Sequence, residues 1–172
     1  SLFQDTVLRA GLFGPPLVVC HEDHGQKALA HLEEINVWPE GIILEPESRN
    51  TAAAIALTAF HMRDKDGLML VMPSDHVVPD HAAFQSAVLK AAQGAKNGSI
   101  VMIGVTPKQA STRFGYICTD GRGDKDLYKI TRFAEKPDKK TARAFLSSRT
   151  CFWNTGIFLS APRVFLEILR EG

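Results

Sequence analysis

From Gly41 to His76 the chain reads GIILEPESRNTAAAIALTAFHMRDKDGLMLVMPSDH. A short apolar run, Gly41 to Leu44, leads through a charged loop into the alanine-rich stretch Thr51 to Arg63, which has helical period, and then into a second apolar run, Leu68 to Met72. Strand, crossover helix and strand in this order are the signature of a parallel sheet covered by helices. Working outward, Leu17 to Cys20 and Ile100 to Ile103 read as further strands. Glu22 to Ile35 and Ala82 to Lys96 read as further helices, the latter after an Asp80 that can cap its first turn. Three successive βα units predict an α/β domain with a mostly parallel sheet flanked by helices.

Beyond residue 113 the pattern changes. Phe114 to Thr119 and Leu127 to Ala134 read as strands joined by the turn-forming Asp120-Gly121-Arg122-Gly123. A helix from Asp138 to Ser147, a strand from Asn154 to Ser160 and a helix from Ala161 follow. No repeat, linker or low-complexity tract marks a boundary, so residues 1–172 read as one domain, large enough to bury about 70% of its unfolded surface. Twenty basic and nineteen acidic side chains leave no broad basic face for nucleic acid. No run approaches the roughly 18 apolar residues of a membrane span, and no leader pattern opens the chain. The three cysteines, Cys20, Cys118 and Cys151, are odd in number and widely spaced, which reads as free thiols in a reducing, cytoplasmic setting. Cys20-His21-Glu22-Asp23-His24 lacks the His-Glu-x-x-His spacing of a zinc helix and reads as acidic residues at a helix start. With no initiator methionine and a helical pattern cut at Glu171-Gly172, the chain is expected to be part of a longer protein, incomplete at both ends.

Ligands of open parallel sheets bind beyond the carboxyl ends of the strands, so the loops there carry the chemistry. Pro73-Ser74-Asp75-His76 places a carboxylate just past a buried strand. Asp75 is either a turn residue or a ligand for Mg²⁺, a hard cation that takes carboxylates and bridges to substrate phosphates. In Glu45-Pro46-Glu47-Ser48-Arg49-Asn50-Thr51, Asn50 can cap the following helix and Pro46 stiffens the loop. Glu45 could accept both N1–H and N2–H of guanine, or be only a solvated loop charge. Phe133-Ala134-Glu135-Lys136-Pro137 sets an acceptor beside a cation, and Trp153-Asn154-Thr155-Gly156 offers an amide beside a glycine that lets a ligand approach. Taken singly, the first is an ordinary surface pair and the second a buried aromatic and a turn.

Together and in this order, Glu45-Pro46-x-x-Arg49-Asn50-Thr51-Ala52, Pro73-Ser74-Asp75-His76, Phe114-Gly115-Tyr116-Ile117, Phe133-x-Glu135-Lys136-Pro137 and Trp153-Asn154-Thr155-Gly156 resemble the mannose-1-phosphate guanylyltransferases, including bacterial enzymes fused to a mannose-6-phosphate isomerase. Ser1-Leu2-Phe3-Gln4-x-Thr6 is similar to the family segment that follows the nucleotide loop. The resemblance implies a Rossmann-like nucleotide-diphospho-sugar transferase fold. It also implies transfer of GMP from GTP to mannose 1-phosphate with Mg²⁺, in the biosynthesis of GDP-mannose and polysaccharide. Carried over, it makes Asp75 the metal ligand and a catalytic group. Lys136 becomes a catalytic phosphate contact; Glu45, Arg49 and Asn50 become nucleotide-binding residues; Gly115, Glu135 and Asn154 become sugar-binding residues.

The chain departs from the family pattern in two places. Arg113 stands where the family has the first glycine of Gly-Tyr-Gly-Tyr-Ile, and neither the glycine-rich Gly-Gly-x-Gly-x-Arg-Leu loop nor the Ile-Asp-Tyr-Ala segment has a counterpart. The 172 residues alone are therefore expected to be inactive and to associate with a second copy through surface that a missing strand would cover. A non-catalytic regulatory or assembly module of the same fold, and a nucleotidyltransferase for another sugar 1-phosphate, remain the alternative readings.

Overall fold

The computed structural model describes residues 1–47, 50–124 and 127–171. They form two compact units, one of Ser1–Pro79 with Ser160–Gly172 and one of Asp80–Leu159.

The first unit opens on α1 (Leu2–Ala10). Ser1 Oγ accepts the Gln4 amide while Gln4 Oε1 accepts from the Ser1 amino group, so two otherwise orphaned donors are satisfied reciprocally. This helix is not among the predicted elements; its readable signal is the Ser1-x-x-Gln4 spacing. Strands β1 (Leu17–His21) and β2 (Gly41–Glu45) pair in parallel from Leu17↔Gly41 to His21↔Glu45, as the βα pattern predicts. Between them Glu22–His24 form a 3-10 turn and α2 spans Gly25–Glu34. Gln4 Nε2 ties α1 to α2 by donating to the His31 carbonyl at 2.9 Å and to Glu34 at 2.7 Å. Beneath these bonds Val7, Val18 and Leu32 form a core flanked by Phe3, Cys20 and Ile42. Removing such side chains from water, at about 25 cal/mol per Å² of apolar area, is what holds helices to sheet. Helix α3 (Asn50–His61) buries Ile55 and Ala59, four residues apart on one face, and packs on β1, β2 and α6 (Pro162–Glu171). The short strand β3 (Met69–Val71) leads into the loop that bears Asp75.

The second unit begins with α4 (His81–Lys96), capped as expected by Asp80, whose Oδ1 accepts the Ala83 amide at 2.9 Å. Its Phe84, Val88, Ala91 and Ala95, at spacings of four, three and four, form the buried stripe. Strands β4 (Val101–Val105), β5 (Tyr116–Asp124), β6 (Leu127–Ala134) and β7 (Cys151–Ser160) follow, with α5 (Lys139–Ser148) before β7. Here β4–β7, β5–β6 and β5–β7 all pair antiparallel, so the parallel βα pattern does not extend to β4. Asp120-Gly121-Arg122-Gly123 is not the hairpin turn. It lies inside β5 as an irregularity between Thr119 and Gly123, with Gly121 at φ 75° and the Arg122 amide held by Asp120 Oδ1. Turn-forming residues favour a bulge as readily as a reversal, and the strand resumes after it.

One face of this antiparallel sheet carries Tyr116, Cys118 and Cys151, with α5 laying Ala142 and Phe145 over them. Cys118 and Cys151 are register partners in β5 and β7, with Cα atoms 4.0 Å apart, and are joined as a disulfide. The expectation of three free thiols is corrected for this pair, and Cys20 alone is free. A separation of 33 residues gave no spacing signal; only the strand pairing brings the two together. Among the described residues no helix is long and apolar enough to cross a membrane.

Candidate active site

The predicted sugar-binding residues gather at one end of the second unit's sheet: Asn154 lies in β7, and Gly115 and Glu135 lie one residue beyond β5 and β6. Tyr116 pairs with Ala134 on β6 and with Trp153 on β7. Stepping one residue outward along each strand therefore sets Gly115 beside Glu135 and beside Asn154. The contacts agree: the Asn154 amide donates to the Gly115 carbonyl at 2.8 Å. A Cβ placed on Gly115 would lie 2.8 Å from Glu135 Oε2, 3.3 Å from Phe133 Cζ and 3.6 Å from Asn154 Cβ. The carboxylate of Glu135 and the side chain of Asn154 thus both lie beside the buried backbone of Gly115. On the other side of Asn154 stands its β4 partner, Gly104. Its Cβ would come within 2.8 Å of Phe152 Cβ and 2.9 Å of Ile117 Cδ1, so glycine is what lets β4 close on the sheet. Sequence reasoning passed over Gly104, and a glycine within the apolar Val101–Val105 run was the available signal.

A bulge aims the amide of Asn154. Between the pairs Gly104↔Asn154 and Met102↔Phe158 the register slips, leaving extra residues on β7. Thr155 Oγ1 fastens them by donating to the Ile103 carbonyl at 2.6 Å and accepting the Ile157 amide at 3.1 Å. Asn154 Oδ1 accepts the Gly156 amide at 3.0 Å, and Gly156 sits at φ 69°, a conformation that costs glycine little. With its oxygen engaged, Asn154 offers its NH₂ group as a donor. Glu135 is an acceptor, and its Oε1 lies 3.5 Å from Lys136 Nζ; both side chains are more than half exposed. Lys136 is at φ 40°, in the left-handed region that non-glycine residues rarely occupy, just before Pro137. Strain of this kind collects where side-chain direction matters more than local comfort.

The predicted nucleotide and metal residues lie in the first unit. Glu45 ends β2 opposite His21 and is half-buried. Burial, and behind it the charge of Glu45, push the Cys20 thiol above its usual value, so Cys20 stays protonated near neutral pH. Asn50 begins α3, while its side chain and the whole of Arg49 lie outside the described residues. Asp75 follows β3 in a turn with its side chain 80% exposed, and its Oδ1 is 3.7 Å from His76 Nε2. Arg9, buried on α1, donates to Thr6 Oγ1 at 2.8 Å and reaches the His76 carbonyl at 3.4 Å, which ties this loop to the helix. Among the described residues no three His, Cys, Asp or Glu side chains converge on a point. An exposed, lightly engaged carboxylate fits Mg²⁺, which takes one or two protein carboxylates and draws its other ligands from water and phosphate. His21, Asp23 and His24 instead hold one another, with His21 Nδ1 accepting the Asp23 amide at 3.2 Å.

Residues 2–171 match the family model described as nucleotidyl transferase. The chain is 40% identical over 99% of its length to a mannose-1-phosphate guanylyltransferase of Salmonella muenchen. It is 42% identical, again over 99% of its length, to the xanthan biosynthesis protein XanB of Xanthomonas campestris pv. campestris. It spans 37% of the length of each. Among solved structures, a Helicobacter pylori protein described as mannose-6-phosphate isomerase superimposes with a TM-score of 0.88 at 36% identity, covering 99% of this chain and 65% of that one.

Proposed function

The chain belongs to the nucleotidyl transferase family, and on that premise we propose that the full-length protein transfers GMP from GTP to mannose 1-phosphate, giving GDP-mannose and pyrophosphate. A phosphate oxygen of the sugar phosphate attacks the α-phosphorus of GTP, and the bond to the pyrophosphate oxygen breaks. The observation that carries the reading is the grouping of Gly115, Glu135 and Asn154, where the Glu135 carboxylate lies against the buried Gly115 backbone and Asn154 is bonded to its carbonyl, so that an acceptor and a donor stand side by side. Hydroxyls of a hexose need both kinds of partner, and an apolar ligand would leave them unpaired. Glu135 accepts from sugar hydroxyls, Asn154 donates to sugar oxygens, and the Gly115 amide supplies a backbone donor. Lys136, directed by its left-handed backbone, offsets phosphate charge, which grows on the phosphoryl oxygens in the transition state.

Glu45 reads the base by accepting the two adjacent donors of guanine, an arrangement that adenine, cytosine and uracil do not present. Arg49 and Asn50 belong to the same nucleotide loop. Asp75 would hold Mg²⁺, which when bound supplies positive charge to the phosphates. The substrates are metabolites of the cytoplasm, so a cytoplasmic location is part of the proposal. The resemblance to a protein described as an isomerase runs through the region that matches the nucleotidyl transferase model, which favours nucleotidyl transfer here.

The test incubates the full-length protein with mannose 1-phosphate, Mg²⁺ and GTP, ATP or UTP in turn, and identifies products by mass spectrometry. GDP-mannose with stoichiometric pyrophosphate, formed fastest from GTP, is the expected result. A preference for UTP or ATP, or no nucleotide sugar at all, contradicts the reading.

A further inference from the structure

We infer that Tyr116 is a positioning residue for the sugar phosphate, acting through the turn of residues 111–115 that delivers Gly115 to the site. Its ring is fully buried and packs on Phe145 at 5.2 Å, yet its hydroxyl makes two bonds to a single residue. It donates to the Ser111 carbonyl at 2.9 Å and accepts the Ser111 amide at 3.0 Å. Both backbone groups of the buried Ser111 are thus satisfied by one phenol, closing residues 111–116 into a ring.

The rest of the turn hangs from this peg. Ser111 Oγ accepts the Arg113 amide at 3.2 Å, and the Phe114 ring rests on Trp153 at 5.0 Å. The Gly115 carbonyl is already fixed by the Asn154 amide at 2.8 Å on the strand side. The direction of the Gly115 amide depends instead on the peptide that joins it to Phe114, and the residues leading into that peptide are fastened at Ser111. The turn also carries Arg113, the bulky residue that departs from the family pattern, and the Ser111–Tyr116 fastening does not involve its side chain. Ser111 itself touches neither Glu135 nor Asn154 in the hydrogen-bond network, so the hydroxyl acts on ligand binding only through the turn.

This inference rests on the reading of the Gly115 grouping as the sugar site, and the experiment separates the two. In the full-length protein, Tyr116→Phe removes only the hydroxyl and keeps the buried ring. Phe145→Leu loosens the same core from the other side of that ring without touching the turn. Binding of mannose 1-phosphate and of glucose 1-phosphate is measured by calorimetric titration, KM for GTP by steady-state kinetics, and Tm for each protein. Tyr116→Phe should weaken the preferred sugar phosphate about tenfold with KM for GTP unchanged, because the Ser111 groups it leaves unpaired will reorganise the turn. Phe145→Leu should lower Tm at least as far and leave sugar-phosphate affinity as in the wild type. Unchanged affinity in Tyr116→Phe overturns the inference, and so does equal weakening in both variants, which would make the effect one of stability. A wild-type protein that prefers glucose 1-phosphate refutes the mannose reading while Tyr116 is still judged on that ligand. One that binds neither sugar phosphate overturns both.

Discussion

Gly115, Glu135 and Asn154 are placed by strand register: Asn154 lies in β7, Gly115 and Glu135 stand one residue beyond the paired ends of β5 and β6, a bulge pinned by Thr155 aims the amide, and the other face of the same strands is packed by α5. In the other unit Glu45 is the last paired residue of β2, before a loop, and Asp75 lies in the loop after β3, approached at 3.7 Å by His76, whose carbonyl Arg9 reaches. The contrast separates two ways of building a site. Backbone pairing places residues before a ligand arrives, so the proposed sugar half needs less ordering on binding. A loop carboxylate acquires its geometry from what it binds, and a metal bridged to phosphates is the kind of ligand that can impose it.

The largest expected effect belongs to the loop half. Asp75→Asn in the full-length protein should reduce Mg²⁺-dependent turnover on the order of 10³-fold or more, because the amide keeps the shape and loses the charge a hard cation requires. Because the side chain is exposed, Tm should not move. Near-normal turnover at saturating Mg²⁺ would return Asp75 to the status of a turn residue. The second test bears on the register half. Replacing both Cys118 and Cys151 by Ala should cost about 3 to 4 kcal/mol of stability for a closed loop of this length. KM for mannose 1-phosphate should nevertheless stay within about twofold at temperatures well below the new Tm, since backbone hydrogen bonds rather than the bridge hold the grouping. A large rise in KM would show that the bridge itself sets the grouping. Reduction of the native protein with dithiothreitol should reproduce the variant's Tm; both cysteines are buried, which slows the loss of the bridge in a reducing compartment. The smallest effect concerns Lys136. Lys136→Gly should lower turnover about 10- to 100-fold through the lost phosphate contact while Tm does not fall, because glycine tolerates φ 40°. A lower Tm with retained turnover would make Lys136 a structural residue.

What could be read from sequence divides along the same line. Glu45 and Asp75 were legible because strand ends are visible as apolar runs, and the residues just past them are candidates by position alone. The caps were legible as well, since Asp80 acts within three residues of itself. Register was not legible, because it depends on pairing between segments far apart in the chain. For that reason the Cys118–Cys151 bridge, the antiparallel course of β4 and the place of Gly104 opposite Asn154 were invisible, although every residue involved was in view. Glu135 and Asn154 were named through family resemblance, and no spacing in the sequence says that they meet beside Gly115. Gly121 and Gly123 misled for a related reason: glycine signals a change of direction, and only the partner strand decides whether it is a reversal or a bulge.

Crossed kinetics on two single variants of the full-length protein test the division of labour most directly. Glu135→Ala should raise KM for mannose 1-phosphate at least about tenfold and leave KM for GTP unchanged, having lost a charged acceptor to a hydroxyl. Glu45→Gln should leave KM for mannose 1-phosphate unchanged and reduce the preference for GTP over ATP and UTP by about 1 to 3 kcal/mol, because one acceptor remains where two are needed. If instead Glu135→Ala alters nucleotide preference, or Glu45→Gln keeps full preference for GTP while sugar affinity falls, the assignment of sugar to the Gly115 grouping and base to the loop is contradicted.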